Sequence, residues 1–338
     1  MFGKLASIAL AAASLCAAQL VSTATASPLP VVFFHGVTGD HTNAAVIEAN
    51  LTGEGRAYVA LDFCEKACSV KTSLVEQIQM AIKQIRSIVS SDTRYANGYH
   101  FMGHSTGASI ARGVIEEMDD HKVHSLISLA GDGNGGFWGP QASDQVGLQV
   151  LLQLLGPYAI SASDFNFTKY AVDPATWNGK NVRVPVAGLN AGWVANGTFY
   201  PQVNNLEMCH GNASCSLNQE RRKCNFLKLQ AAHFFASPQD DLQTPWQTSL
   251  LGRYSEVDTI DEVETKFAEL TIVDMKQTRE YEQDLYGLKT LDKAGRLHLH
   301  SVPNVGHDCW LFDYTPLNSN VTCLHDPVYA ANIYPLLI

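Results

Sequence analysis

The segment Gly103-His104-Ser105-Thr106-Gly107 constrains this chain more than any other feature. The G-x-S-x-G form alone is a weak signal, because so loose a pattern recurs by chance. Its surroundings sharpen it. Tyr99–Met102 is an apolar run of strand length, and Ala108-Ser109-Ile110-Ala111-Arg112 opens a helical pattern that runs to Met118. A strand that turns abruptly into a helix holds the intervening serine in a strained backbone, and flanking glycines let neighbouring chain pass without a clash. The helix N-terminus then turns its positive dipole end toward a developing oxyanion. Ser105 is therefore expected as a nucleophile, with the backbone amide of Thr106 as an oxyanion donor.

The rest of the chain has the organisation that such a turn needs. Short apolar runs at Val31–Phe34, Ala57–Asp62, Tyr99–Met102, Ser125–Ala130, Gln230–Ala236 and Leu297–Val302 alternate with helical patterns. That alternation predicts βαβ units and a parallel sheet. Leu74, Ile78, Ala81, Ile82, Ile85 and Val89 fall on one helical face, and Ser73 with Glu76 forms a capping box at its start. The regularity breaks between about residues 132 and 222, a stretch rich in Gly, Asn and aromatic residues. It reads as an insertion over the catalytic face; an ordinary core helix with long connections is the alternative for its apolar run Leu148–Leu155. The 46% hydrophobic content suffices for one domain carrying such an insertion.

A serine nucleophile in this setting needs a base and an acid, in the chain order Ser, acid, His. His307 follows the last predicted strand in the turn Pro303-Asn304-Val305-Gly306-His307 and is the expected base. His298 and His300 share one face of that strand and read as packed or surface residues. The acid is expected after the Gln230–Ala236 strand, where Asp240 fits best and Asp241 is its rival. The loop His35-Gly36-Val37-Thr38-Gly39-Asp40 after the first strand should supply the second oxyanion amide, from Val37. His35 reads as structural. Together these predict an α/β-hydrolase fold, with a mostly parallel central sheet flanked by helices and an inserted acyl-binding or lid region.

Other features place the chain in the secretory pathway. Lys4, the apolar stretch Leu5–Val21 and the small-x-small sequence Ala24-Thr25-Ala26 read as a signal peptide over residues 1–26. A membrane anchor is the rival reading, although the apolar run is short for a span. Sequons stand at Asn50, Asn166, Asn196, Asn212 and Asn320. Apart from Cys16 in the leader, seven cysteines remain, an odd number that implies disulfides and a leftover thiol. Their spacing does not fix the pairing, Cys309 with Cys323 being one local option. The formal charge of −10, with no basic stripe, excludes a nucleic-acid partner. No CxxC pair or metal-ligand histidine spacing is present, so no zinc or other cofactor is expected.

At this resolution of detail the sequence resembles the palmitoyl-protein thioesterases. Asp284-Leu285-Tyr286-Gly287-Leu288-Lys289-Thr290-Leu291-Asp292-Lys293-Ala294-Gly295-Arg296-Leu297 is similar to that family's G-L-K-x-L-D-x-x-G-x-L segment before the catalytic histidine. The Asp240–Pro245 loop, Leu250-Leu251-Gly252-Arg253-Tyr254 and Gly135-Gly136-Phe137-Trp138-Gly139 also match its pattern. Two departures stand out: Thr106 replaces the family's Gln after the nucleophile, and the His35–Asp40 loop is one residue longer. The longer loop leaves the second oxyanion donor open between Val37 and Thr38. The resemblance implies hydrolysis of thioester-linked fatty acyl groups from S-acylated protein cysteines, in the lysosome or outside the cell. A long acyl chain needs an apolar groove, for which Phe137, Trp138, Leu148, Leu151 and Leu155 are expected to serve. A lipase or carboxylesterase acting on oxyesters, an acyl-CoA thioesterase or acyltransferase, and an inactive binding protein are the competing readings. The motifs leave acyl-chain length and oligomeric state open.

Overall fold

The structure is a computed structural model that describes residues 28–155, 183, 185–187, 199–317 and 319–337. The expected leader, Asn166 and Asn196 lie outside these residues, as do the side chains of Leu148 and Leu155. Six strands form one sheet in the order β2-β1-β3-β4-β5-β8, with every pairing parallel. They are β1 (Val31–Phe34), β2 (Tyr58–Ala60), β3 (Tyr99–His104), β4 (Val123–Leu129), β5 (Ala231–Ala236) and β8 (Leu297–Ser301). All six expected strands are present. The edge strand β2 is shorter than its apolar run because it can pair only along the four residues of β1. A two-stranded antiparallel pair, β6 (Arg253–Tyr254) with β7 (Ile272–Val273), was not expected from the sequence.

Helices cover both faces. The principal ones are α1 (Ala45–Gly53), α2 (Leu74–Ser91), α3 (Thr106–Glu117), α4 (Ala142–Leu155) and α5 (Ala213–Phe226). The predicted Ser73–Glu76 capping box starts α2, whose buried stripe contains Leu74, Ile78, Ala81, Ile82 and Ile85. One core lies between the sheet and helices α2, α3 and α5. A second lies on the other face, where Val31, Phe33, Met102 and Phe235 meet Ile47 and Leu51 of α1, Trp310, and the C-terminal residues Tyr329, Ile333 and Leu337. The crossover helix α5 packs on α3, so the regular framework resumes at Ala213, within the stretch expected as an insertion.

The strand order reverses direction between β1 and β3. The connection from β1 runs outward to β2, and the chain then returns to place β3 on the other side of β1. At such a switch point the loops leaving adjacent strand ends diverge and leave a crevice for ligand. Here those loops are His35–Asp40 and the turn at Ser105.

Disulfides link Cys64 to Cys68, Cys209 to Cys215 and Cys309 to Cys323. Cys224 is also disulfide-bonded, so the leftover thiol expected from the odd count is absent from the described residues. Asn50, Asn212 and Asn320 are solvent-exposed, as glycan acceptors must be. No helix among the described residues is long and apolar enough to cross a membrane.

Candidate active site

Ser105 sits between β3 and α3 with φ 54° and ψ −133°, a conformation that only a surrounding structure can impose on a non-glycine residue. Backbone of this kind costs on the order of 1–3 kcal/mol. The turn is held by the Ser105 amide, which donates to the Leu129 carbonyl at 3.0 Å, and by the Ala108 amide, which donates to the Ser105 carbonyl at 3.0 Å. The flanking glycines are required by close approach. A Cβ on Gly103 would stand 2.5 Å from Cα of Ala108, and one on Gly107 would run into the carbonyls of Phe34 and His35. These contacts seat the first turn of α3 against the end of β1. The amide of Thr106 thereby opens that helix beside the loop that follows β1.

The amides of the two oxyanion candidates in that loop are engaged differently. The Thr38 amide donates to Ser69 Oγ at 2.8 Å and is committed to the framework. The Val37 amide has no acceptor among the described residues. Gly36 brings the loop against the nucleophile, since a Cβ there would lie 3.1 Å from Cβ of Ser105. His35 stacks on Phe63 and donates from Nδ1 to the Gly36 carbonyl at 3.0 Å, a structural role.

The structure brings His307 and Asp240 together. His307 Nδ1 lies 3.1 Å from both carboxylate oxygens of Asp240, and both side chains are buried. The loop amides of Leu242 and Gln243 donate to Asp240 Oδ1 at 2.9 and 2.8 Å. Asp241 does different work. Its Oδ1 accepts from the His307 backbone amide at 3.0 Å, while Oδ2 accepts from Tyr314 Oη at 2.7 Å and the Leu317 amide at 3.1 Å. One aspartate therefore faces the ring and its neighbour anchors the loop that carries the ring. Burial alone would depress His307, but the charge and hydrogen bond of Asp240, with Asp308 and Asp241 nearby, push it up to about 9. Burial would likewise raise Asp240, yet His307 and the two loop amides hold it below the usual carboxylate range. No hydrogen bond joins Ser105 Oγ to His307 among the described residues, and this contact commonly tightens only when substrate is bound.

Two participants were not legible in the sequence. His104, the variable residue of the pentapeptide, donates from Nε2 to the His307 carbonyl at 2.8 Å, with the two rings 4.8 Å apart. It ties the elbow directly to the base loop. Burial first, then the neighbouring His307, pushes it down to about 4, so it remains a neutral donor. Asp132, just after β4, is buried and accepts from Ser109 Oγ and from the Thr106 side chain. Burial pushes its carboxyl up to about 6. The threonine that departs from the family's glutamine is thus tied to a buried carboxyl through its side chain. The only signal for His104 was its place within the motif, and Asp132, after the next strand, reaches the elbow through tertiary contact that spacing does not reveal.

A satellite apolar cluster adjoins these loops. Val70, Trp138, Val150, Leu151 and Leu242 pack together, with Val37 and Val146 against them. It joins the oxyanion loop, the acid loop and α4. Gly147 brings α4 onto the acid loop, where a Cβ would stand 2.7 Å from the Leu242 carbonyl, and Tyr254 Oη bonds Asp144 at the helix start. Trp138 and Leu151 thus lie in this cluster. Phe137 belongs instead to the main core, edge-on to Tyr254 and Phe267. Among the described residues, ligand atoms of His104, His307 and Asp308 lie within 4.8 Å of one another. Two of those groups are already engaged, His307 Nδ1 by Asp240 and His104 Nε2 by a carbonyl.

A family model described as palmitoyl protein thioesterase matches residues 30–307. The chain is 26% identical over 235 residues to the lysosomal thioesterase PPT2-B of Xenopus laevis, covering 68% of this chain and 70% of that protein. It is 26% identical over 298 residues to lysosomal thioesterase PPT2 of Homo sapiens, with 84% of each covered. Palmitoyl-protein thioesterase 3 of Dictyostelium discoideum is 23% identical, across 87% of this chain and 90% of its own. Among solved structures, the monoacylglycerol lipase of Paleococcus ferrophilus aligns with a TM-score of 0.39 and 15% identity over 83% of this chain and 86% of that one. The family match spans most of the chain, including the elbow, the acid loop and His307; the chain belongs to the palmitoyl protein thioesterase family and is an enzyme of the thioesterase class.

Proposed function

We propose that the chain removes thioester-linked long-chain fatty acyl groups from S-acylated cysteines of proteins or peptides, through an acyl-enzyme on Ser105. Neutral His307, held in the correct tautomer by Asp240, takes the Ser105 proton as the hydroxyl attacks the acyl carbonyl. The amides of Val37 and Thr106 receive the oxyanion. Protonated His307 then hands its proton to the departing cysteine thiolate, and water repeats the sequence on the acyl-enzyme.

The observation that carries this reading is the apolar cluster spanning the oxyanion loop, the acid loop and α4. An acyl chain whose carbonyl occupied the oxyanion site would start beside Val37 and could extend over Trp138 and Leu151. Leu148 and Leu155, on the same helix, are proposed to continue that wall; Phe137 would support it from the core. The family and its lysosomal relatives favour a thioester and a lysosomal location, and the disulfides fit passage through the secretory pathway. The proposed leader over residues 1–26 and the insertion over about 132–222 agree with this route and this groove.

The test compares hydrolysis of palmitoyl-cysteine peptides with nitrophenyl palmitate and with short-chain thioesters. Preference for the long thioester supports the proposal. A marked preference for the oxyester would assign the site to a lipase or carboxylesterase instead.

A further inference from the structure

Three histidines outside the active site share one face of the sheet edge. His233 lies on β5, directly opposite His298 in the parallel register, and His300 lies two residues farther along β8. Residues two apart on a strand project from the same side. The His233 and His298 rings stack with centroids 4.6 Å apart, and His233 and His300 are 5.4 Å apart. His233 Nδ1 and His300 Nε2 stand 3.2 Å from each other. His300 is backed by Phe235, whose ring stacks on it at 4.2 Å.

This arrangement has the chemistry of a metal site. Two nitrogens 3.2 Å apart, each about 2.0–2.1 Å from a shared zinc ion, subtend roughly 100–105° at the metal, close to the tetrahedral angle. Among the described residues, no carboxylate and no backbone group hydrogen-bonds any of the three rings. His298 and His300 are half-buried, so an ion could reach them from the edge strand.

We propose that His233, His298 and His300 form a binding site for a late first-row divalent cation such as Zn²⁺, separate from the hydrolytic centre. His233 and His300 supply the two nitrogens already in contact, and His298 swings from its stacked position to add the third. Whichever ring now donates in the His233–His300 contact moves that proton to its other nitrogen, freeing the lone pair for the metal. Imidazole ligands suit zinc, copper and nickel over the alkaline-earth cations. Spacing along the chain did not reveal the site, because the third ligand comes from the neighbouring strand.

The test is calorimetric titration of tag-free protein with ZnCl₂ at pH 7.5, with thermal melting in parallel. The wild type is expected to bind one ion per chain and to melt higher with zinc. His298→Gln and His300→Gln should each weaken binding at least tenfold while retaining the wild-type rate of thioester hydrolysis. Circular dichroism establishes that each variant is folded; His298→Gln, on the edge strand, serves if His300→Gln is not. Absence of binding at 100 μM free zinc would overturn the proposal. So would binding that survives both variants and is abolished by His104→Gln, which would assign the ion to His104, His307 and Asp308.

Discussion

Replacing Asp240 by Asn tests the division of labour between the two adjacent aspartates. Asp240 Oδ1 is held by the amides of Leu242 and Gln243, so an asparagine oxygen stays there and its NH₂ turns toward His307 Nδ1. A donor then replaces one of the two acceptors facing the ring, and the Oδ1 that remains 3.1 Å from His307 Nδ1 is already shared by two loop amides. His307 relieves the conflict by moving its proton to Nε2, the nitrogen that must receive the Ser105 proton, and the base is disabled with little change in packing. A wrong tautomer in a Ser-His-Asp site costs about 10⁴ in kcat, or about 5.4 kcal/mol at 1.36 kcal/mol per decade. Asp241→Asn leaves the His307 ring paired and disturbs acceptors of one backbone amide, one tyrosine and one loop amide. Hydrogen bonds to a charged group contribute about 1.5–3 kcal/mol each, and most of that loss should appear as lower melting temperature. The expected kcat loss for Asp241→Asn is at most about 10²-fold. Steady-state kinetics on a palmitoyl-cysteine peptide, with thermal melts, read both variants. A larger kcat loss in Asp241→Asn than in Asp240→Asn would refute the reasoning.

Further expectations concern pH, the groove and the elbow. Because Asp240 holds His307 above its ordinary value, kcat/KM should rise with pH toward about 9, and Asp240→Asn should move that limb to lower pH. For stability, the raised His307 contributes fully below about pH 6.5 and loses its contribution as pH climbs to about 9, whereas the depressed Asp240 contributes above about pH 3.9 and loses it on acidification. A pH series of melts should therefore fall away on both sides of that window. Leu151→Ala should lower kcat/KM for palmitoyl more than for butyryl thioesters, by about 15- to 60-fold for two to three methylenes' worth of lost contact at about 0.8 kcal/mol each; equal losses on both would remove Leu151 from the groove. Gly107→Ala should destabilise the fold by about 2 kcal/mol or more, since the new methyl meets the Phe34 and His35 carbonyls, and unchanged melting would contradict that packing.

Much of this arrangement was legible in the sequence because it is local. The elbow is one pentapeptide, the α2 cap is four residues, and the strands are short, largely apolar runs whose order along the chain suggested where an acid and a base would stand. What escaped was set by tertiary contact. Asp240 and Asp241 have the same chemistry and differ by one position, and only the seating of the His307 loop assigns the ring to one and the backbone to the other. Val37 and Thr38 were equivalent until Ser69, some thirty residues away in sequence, took the Thr38 amide. Phe137 was grouped with Trp138 because aromatic neighbours look alike in a sequence, yet successive residues in extended chain face opposite ways and pack in different clusters. The β6–β7 pair is two residues long on each side, too short for any alternation to register. The odd cysteine count implied a leftover thiol without saying which, and Cys224 is disulfide-bonded like the other six described cysteines.

Whether Ser105 carries the acyl group is read by intact-protein mass spectrometry with peptide mapping during turnover of a palmitoyl-cysteine peptide. A palmitoyl adduct should accumulate on the peptide containing Ser105 when rapidly quenched with acid. It should vanish in Ser105→Ala, whose turnover should fall roughly 10⁴-fold or more. Near-normal hydrolysis by Ser105→Ala, or an adduct on another residue, would contradict the account.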